Sequence, residues 1–198
     1  MNYIIGKKIE MSQIFNEKGE VIPVTWVEAG PCFVLEVKTE KKDGYNSIQL
    51  GFEKKKKNIK KPEKNKEYRY IKEFRVEEEN LKDFKKGDEI DVAVFKEGDE
   101  VKVSGLSKAK GFQGVVKRWN FKGSPKTHGT KHTLRKPGSI GTTDVARVFK
   151  GKKMAGRTGG KRTTLSGLKI EKIDKEKNLI AIKGAVPGRR GTLLEIKG

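Results

Sequence analysis

KGFQGVVKRWNFKGSPKTHGTKHTLRKPGSIG, Lys110 to Gly141, obeys different rules from the chain around it. It contains no acid and no aliphatic run long enough to build a core. Basic residues, glycines and single aromatics follow one another at irregular spacing. Widened to 108–162, the segment holds 16 Lys and Arg against one acid, Asp144, with ten Gly and the interruptions Pro125 and Pro137. Such a composition cannot bury enough apolar surface to offset the entropy of ordering it. Whatever fixes its shape lies outside itself, and the segment reads as an insertion.

The other 143 residues hold 30 bases and 25 acids, so most of the chain's net charge of +20 sits in the insertion. These flanking residues read as all-β. VIPVTWVEAG (21–30) and CFVLEVKTE (32–40) are rich in β-branched and aromatic residues. Period-2 alternation puts Phe33, Leu35 and Val37 on one face, Ile90, Val92 and Val94 on another, and Val101 with Val103. GLKIEKID, NLIAIKG and TLLEIKG give three more strands. Turn signals at Lys18-Gly19, Asp43-Gly44, Glu97-Gly98 and 174–178 separate them. Helical patterns are confined to EEENLKDF (77–84) and a short turn at GVVKR. Many short strands with tight turns suggest a small barrel or sandwich. The C-terminal strands, from Leu168 on, are too few to stand alone. They are expected to complete the sheet begun upstream. The expected organisation is a globular β-barrel domain from 1–107 plus 163–198, interrupted by a long irregular basic extension at 108–162.

The charge needs a polyanion to neutralise it. A membrane is the weaker candidate, since no window approaches the ~20 apolar residues of a spanning helix, and the apolar patch at Tyr3 to Ile5 is too brief for a signal-peptide core. The single Cys32 lies in an apolar run and reads as a small buried hydrophobe in a reduced, cytosolic setting. Nucleic acid fits better. Phe112, Trp119, Phe121 and Phe149 stand singly beside Lys and Arg, the arrangement that stacks unpaired bases while cations meet phosphates. No long amphipathic recognition helix offers itself to a DNA groove, so RNA is favoured.

The candidate RNA contacts on the outgoing half are Lys110, Phe112, Gln113, Lys117, Arg118, Trp119 and Lys122, followed by Lys126, His128, Lys131, His132, Arg135 and Lys136. Ser139 and Thr142 stand at Gly138 to Thr143, the expected tip of the segment. Arg147, Lys150, Lys152, Lys153, Arg157, Lys161 and Arg162 follow on the return. A second basic run at 53–66 is either a solvated loop or a less shaped phosphate contact. His128 and His132 lack the further ligands a zinc site needs. GKKMAGRT (151–158) matches a phosphate-binding loop except for Arg157, but no helix pattern follows it. No enzyme, cofactor, metal or small-molecule substrate is expected. The rival readings are a free nucleic-acid chaperone and, more remotely, a phosphate-loop enzyme.

SKAKGFQGVVKRWNF, THG, RKPGSIG, RVFKGKKMAGRTG and NLIAIKGAVPG, with the opening IIGKKIEMSQIF, resemble the universal large-subunit ribosomal protein L-three family in its bacterial form. The resemblance covers nearly the whole chain. It implies a β-barrel of the type shared with translation factors and an extension that penetrates large-subunit ribosomal RNA. It further implies a role in early subunit assembly and in supporting the peptidyl transferase centre, with proteins L-fourteen and L-nineteen as neighbours in the cytoplasmic ribosome. The chain departs from the family pattern at Glu10 and Ala109, where Gly is usual, and at Thr142, where many members carry a Gln that some bacteria methylate.

Overall fold

The computed structural model describes residues 2–55, 59 and 67–198. Of the basic run at 53–66, only Glu53, Lys54, Lys55 and Ile59 fall among the described residues. The chain divides into two compact units, Met1–Ser107 with Arg162–Gly198, and Lys108–Lys161.

The first unit is mainly β, as its alternating patterns lead one to expect. Strands β1 (Tyr3–Phe15), β2 (Val21–Ala29), β7 (Glu100–Leu106), β10 (Arg162–Asp174), β11 (Leu179–Lys183) and β12 (Leu193–Lys197) pair in the order β1-β12-β7-β10-β11-β2. β2 pairs again with β1, so the antiparallel ring closes on itself. Closure leaves the ring no open edge along its paired length. Ile4, Val27, Val103, Ile182, Leu194 and Ile196 are fully buried in this unit. Tight packing requires two small residues: a Cβ on Gly6 would stand 2.7 Å from Val27 Cγ1, and one on Gly105 2.7 Å from Leu194 Cδ2.

A second antiparallel sheet runs β5-β4-β3-β6, formed by β3 (Cys32–Lys38), β4 (Ser47–Lys54), β5 (Tyr68–Arg75) and β6 (Glu89–Ile90). Its Val34, Ile48, Leu50 and Phe74 join one apolar cluster with Tyr3, Ile5 and Val101. Tyr3 and Phe74 rings lie 5.2 Å apart, a distance suited to tilted aromatic packing. Short helices α1 (Glu40–Asp43) and α2 (Glu78–Leu81) connect strands, and Gly44, in the left-handed region at φ 78°, ends α1 at the expected turn. No helix among the described residues is long and apolar enough to cross a membrane.

Several alternations break where the structure inserts a bulge. The register of β3 against β4 shifts between Val34 and Glu36, so Val34 and Leu35 are both buried and Val37 only partly. The face of Phe33, Leu35 and Val37 is therefore not continuous. Ile90, Val92 and Val94 do not form one strand face either. Asp91 Oδ1 accepts the Val92 N–H at 2.7 Å, the backbone turns into a short 3-10 segment at Val92–Val94, and Val94 is exposed. β1 is far longer than the apolar patch Tyr3 to Ile5, with a bulge between Lys8 and Glu10 masking its period. Glu10 sits within this strand opposite Trp26. β10 begins at Arg162, earlier than Leu168, and Arg162 is the register partner of Leu106.

Candidate nucleic-acid interface

The unit Lys108–Lys161 carries fifteen Lys and Arg and the single acid Asp144. Its one buried side chain is Val115. A unit of this composition is held together by backbone turns and a few specific contacts rather than by a core.

The contacts concentrate at its base. β8 (Phe112–Gln113) pairs antiparallel with β9 (Gly156–Arg157). Lys110 N–H donates to Thr158 O and Thr158 N–H to Gly111 O, both at 2.9 Å. Gly159, at φ 71°, has no room for a side chain: a Cβ there would overlap the Lys108 carbonyl. Helix α3 (Val115–Trp119) follows, and Asn120 ends it in the left-handed region at φ 58°. From this single turn the Arg118 guanidinium and the Trp119 indole N–H both donate to Met154 O, at 2.7 and 2.9 Å. The Trp119 ring also lies 5.0 Å from the Arg118 guanidinium and 5.7 Å from Lys153 Nζ, within cation–π range. Arg118 and Trp119, candidates for RNA from their sequence pattern, thus first tie the two halves of the unit together. Met154 gave no signal in the sequence, because its contribution is a backbone carbonyl. Gln113 is likewise engaged, donating to Lys110 O at 2.6 Å.

The other candidates are displayed. Lys110, Lys117, Lys122, Lys126, His128, Lys131 and His132 are exposed, as are Arg135, Lys136, Ser139 and Thr142. So are Arg147, Lys150, Lys152, Lys153, Arg157 and Lys161 on the return. Phe112 is 75% exposed and Phe149 58%, in each case with an arginine at hand: Arg157 opposes Phe112 across the β8–β9 pair, and Arg147 lies 5.9 Å from the Phe149 ring. Burying large apolar rings is ordinarily favourable by a few kcal/mol, about 25 cal/mol per Å² removed from water. A ring left exposed beside a guanidinium, as Phe149 is, is suited to stacking on a base. Arg162 differs from the rest: it belongs to the first unit and forms an ion pair with Glu195, which Lys72 also reaches at 3.3 Å. GKKMAGRT does not make a phosphate-binding loop, because Gly156–Arg157 form strand β9 and the chain continues into β10 where such a loop would open a helix.

In the first unit, Cys32 is buried, and burial pushes its thiol up to about 12, so it is an inert core residue at neutral pH.

The family model for ribosomal protein L3 matches residues 72–179, which span the second unit and the strands on either side of it. The chain is 48% identical over 201 residues to the large ribosomal subunit protein uL3 of Natranaerobius thermophilus, covering 98% of this chain and 94% of that protein. It is 49% identical to the protein of the same name from Carboxydothermus hydrogenoformans, over 98% of this chain and 95% of that one. The uL3 of Thermosipho africanus is 49% identical over 205 residues, covering 100% of this chain and 98% of the relative. With exposed cations and aromatics on a nearly coreless unit and relatives matched end to end, the chain belongs to the ribosomal protein L3 family.

Proposed function

We propose that this protein is a structural constituent of the large ribosomal subunit that binds large-subunit ribosomal RNA directly through Lys108–Lys161. The observation that carries this reading is that unit's fifteen cations, single acid and single buried side chain. Phosphates neutralise the charge, RNA surfaces take the place of an apolar core, and exposed Phe112 and Phe149 stack on unpaired bases. The ring of strands is read as a barrel of the translation-protein type, and the second unit as its RNA-penetrating extension. The role is positioning, not catalysis. It includes early subunit assembly and support of the peptidyl transferase centre by the turn at Gly138 to Thr143. Large-subunit proteins L-fourteen and L-nineteen are the proposed neighbours, in the cytoplasmic ribosome. Sedimentation tests the core of the proposal: the tagged protein is expected to stay with the large subunit through a high-salt wash. A protein released at moderate salt, and binding DNA as well as large-subunit RNA in competition, would instead be a nucleic-acid chaperone. For the turn, a scan of 138–143 is expected to alter peptidyl transfer or sensitivity to drugs at that centre while subunits still assemble. An assembly defect alone would mark the turn as a space-filler.

A further inference from the structure

We propose that the second unit contains a built subsite for one unstacked nucleotide of the RNA, between Phe121 and the chain at Pro137-Gly138; this deepens, and rests on, the RNA-binding reading above. A cavity of about 620 Å³ lies there, walled by Phe121, Lys122, Ser124, Thr133, Lys136 and Gly138. That volume falls in the range of small-ligand pockets. The walls have the chemistry of a nucleotide's two halves. Phe121 is half-buried in the wall and supplies the aromatic ring on which a base could stack, while Lys122 and Lys136 are exposed cations for its flanking phosphates. No acid lines the cavity, and the unit's one acid, Asp144, is not among its walls.

The cavity is held open by backbone geometry. The left-handed turn at Asn120 redirects the chain after α3, just before Phe121. Gly123 is also left-handed at φ 72°, and a Cβ there would stand 2.7 Å from Leu134 O, so only glycine permits the two strands of chain to approach this closely. At that approach Ser124 N–H donates to Leu134 O at 3.2 Å, and Ser124 Oγ donates to Thr133 O at 3.3 Å. Lys136 N–H donates to Thr133 O at 3.2 Å, which turns the following residues back toward the cavity. Phe121 with Lys122, and Lys136, thus come from opposite sides of a fastened loop. A base between them would be stacked on one side and bracketed by charge at its phosphates.

Stacking and ion pairing leave different signatures, and the full-length chain with an in-vitro transcript of large-subunit RNA can separate them. Binding is measured across a series of KCl concentrations. Phe121→Ala is expected to weaken binding about tenfold or more with the log–log salt slope unchanged, because stacking releases no counterions. Phe121→Tyr restores affinity and Phe121→Leu does not. Lys122→Ala and Lys136→Ala each lower the slope by ~0.7, the single-strand value for one phosphate. Ultraviolet irradiation of the complex should leave one nucleotide cross-linked to the peptide bearing Phe121. A Phe121→Leu variant equal to the parent, or cross-links elsewhere in the unit but none to that peptide, overturns the subsite while leaving RNA binding intact. Competition for the cross-link by free nucleoside monophosphates at micromolar concentration overturns the assignment to RNA in favour of a mononucleotide site. Failure of the parent chain to bind the transcript overturns the RNA-binding reading and this one with it.

Discussion

The two units of this chain lower their free energy in opposite ways. The first buries Ile4, Ile182, Leu194 and many others in one apolar cluster, and it balances its charges internally through pairs such as Lys7–Glu53 at 2.9 Å and Lys183–Glu171 at 3.4 Å. The second buries Val115 and has only Asp144 to set against fifteen cations. In the first unit, folding is paid for by removing apolar surface from water. In the second, internal contacts are few, and on the reading proposed above a partner supplies both the negative charge and the surface that order it. The contrast teaches that within one chain, foldability can be read from where the acids are as well as from where the hydrophobes are.

The sharpest break of this comparison is amide exchange on the free protein. Amides of β7, β10 and β11 are expected to open only with global unfolding, whose free energy for ordinary domains is about 5–15 kcal/mol. Amides across 121–150 should exchange faster by a factor of roughly a thousand or more. RNA should slow the second set and leave the first unchanged. Equal protection of both units in the free chain would show that Lys108–Lys161 folds on its own. The next effect in size is electrostatic. Replacing Lys117, Lys122, Lys150 and Lys152 together by Ala should lower the log–log salt slope of RNA binding by about 3, from ~0.7 per contact. An unchanged slope would move the electrostatics to the first unit.

A core substitution reverses the pattern. Ile182 is fully buried on β11, and Ile182→Ala should cost about 2–5 kcal/mol of stability through lost burial and a residual cavity. Its RNA affinity per folded molecule should be unchanged. Val115→Ala should do the opposite: the main thermal transition stays where it was, since Val115 lies outside the apolar cluster of the first unit. Thermal unfolding followed by circular dichroism reads both, and a Val115→Ala chain that melts early would mean that the two units unfold as one.

How much of this was legible in the sequence depended on the kind of interaction. Val101 and Val103, both buried, were readable because β7 alternates from Glu100 to Val103, before Ser104 and Gly105 break the period. The cationic bias of 108–162 was readable by composition alone, but nothing in composition marked Arg162 as the start of β10. β5 was not, because YRYIKEFR places a charge at nearly every second position and buries only Phe74. The full length of β1 was hidden by the bulge after Lys8, and the joint burial of Val34 and Leu35 by the bulge in β3. In the candidate site, exposed cations such as Lys150 and Lys152 could be named from residue type. The internal duties of Arg118 and Trp119 could not, because their shared acceptor is the carbonyl of Met154, 35 residues on from Trp119. The pinch at Ser124 and Leu134 escaped for the same reason: backbone acceptors leave no mark on residue identity.

The smallest expected effect tests the internal charge balance of the first unit. Glu73 accepts from Lys38 Nζ at 2.7 Å, Tyr45 OH at 2.9 Å and Gln49 Nε2 at 3.0 Å. The Lys38 ammonium, helped by the Tyr45 and Gln49 hydrogen bonds, holds the Glu73 carboxyl below the usual carboxylate range, and the same contact raises Lys38. A carboxylate whose folded-state pKa is depressed contributes stability above its unfolded value, ~4.3, and loses it as pH falls through the lowered folded value. Glu73→Gln removes the charge and keeps a hydrogen-bonding side chain. The variant should therefore be less stable than the parent at neutral pH, and the gap should close as the pH drops below about 4. It will be modest, because the site is partly open to water and salt screens it. Urea denaturation at a series of pH values measures the gap directly. If it is the same at every pH, the side chain matters for its hydrogen bonds to Tyr45 and Gln49. If it closes on acidification and shrinks in added salt, the first unit is balancing its own charge at this site, which the second, with one acid among fifteen cations, lacks the residues to do.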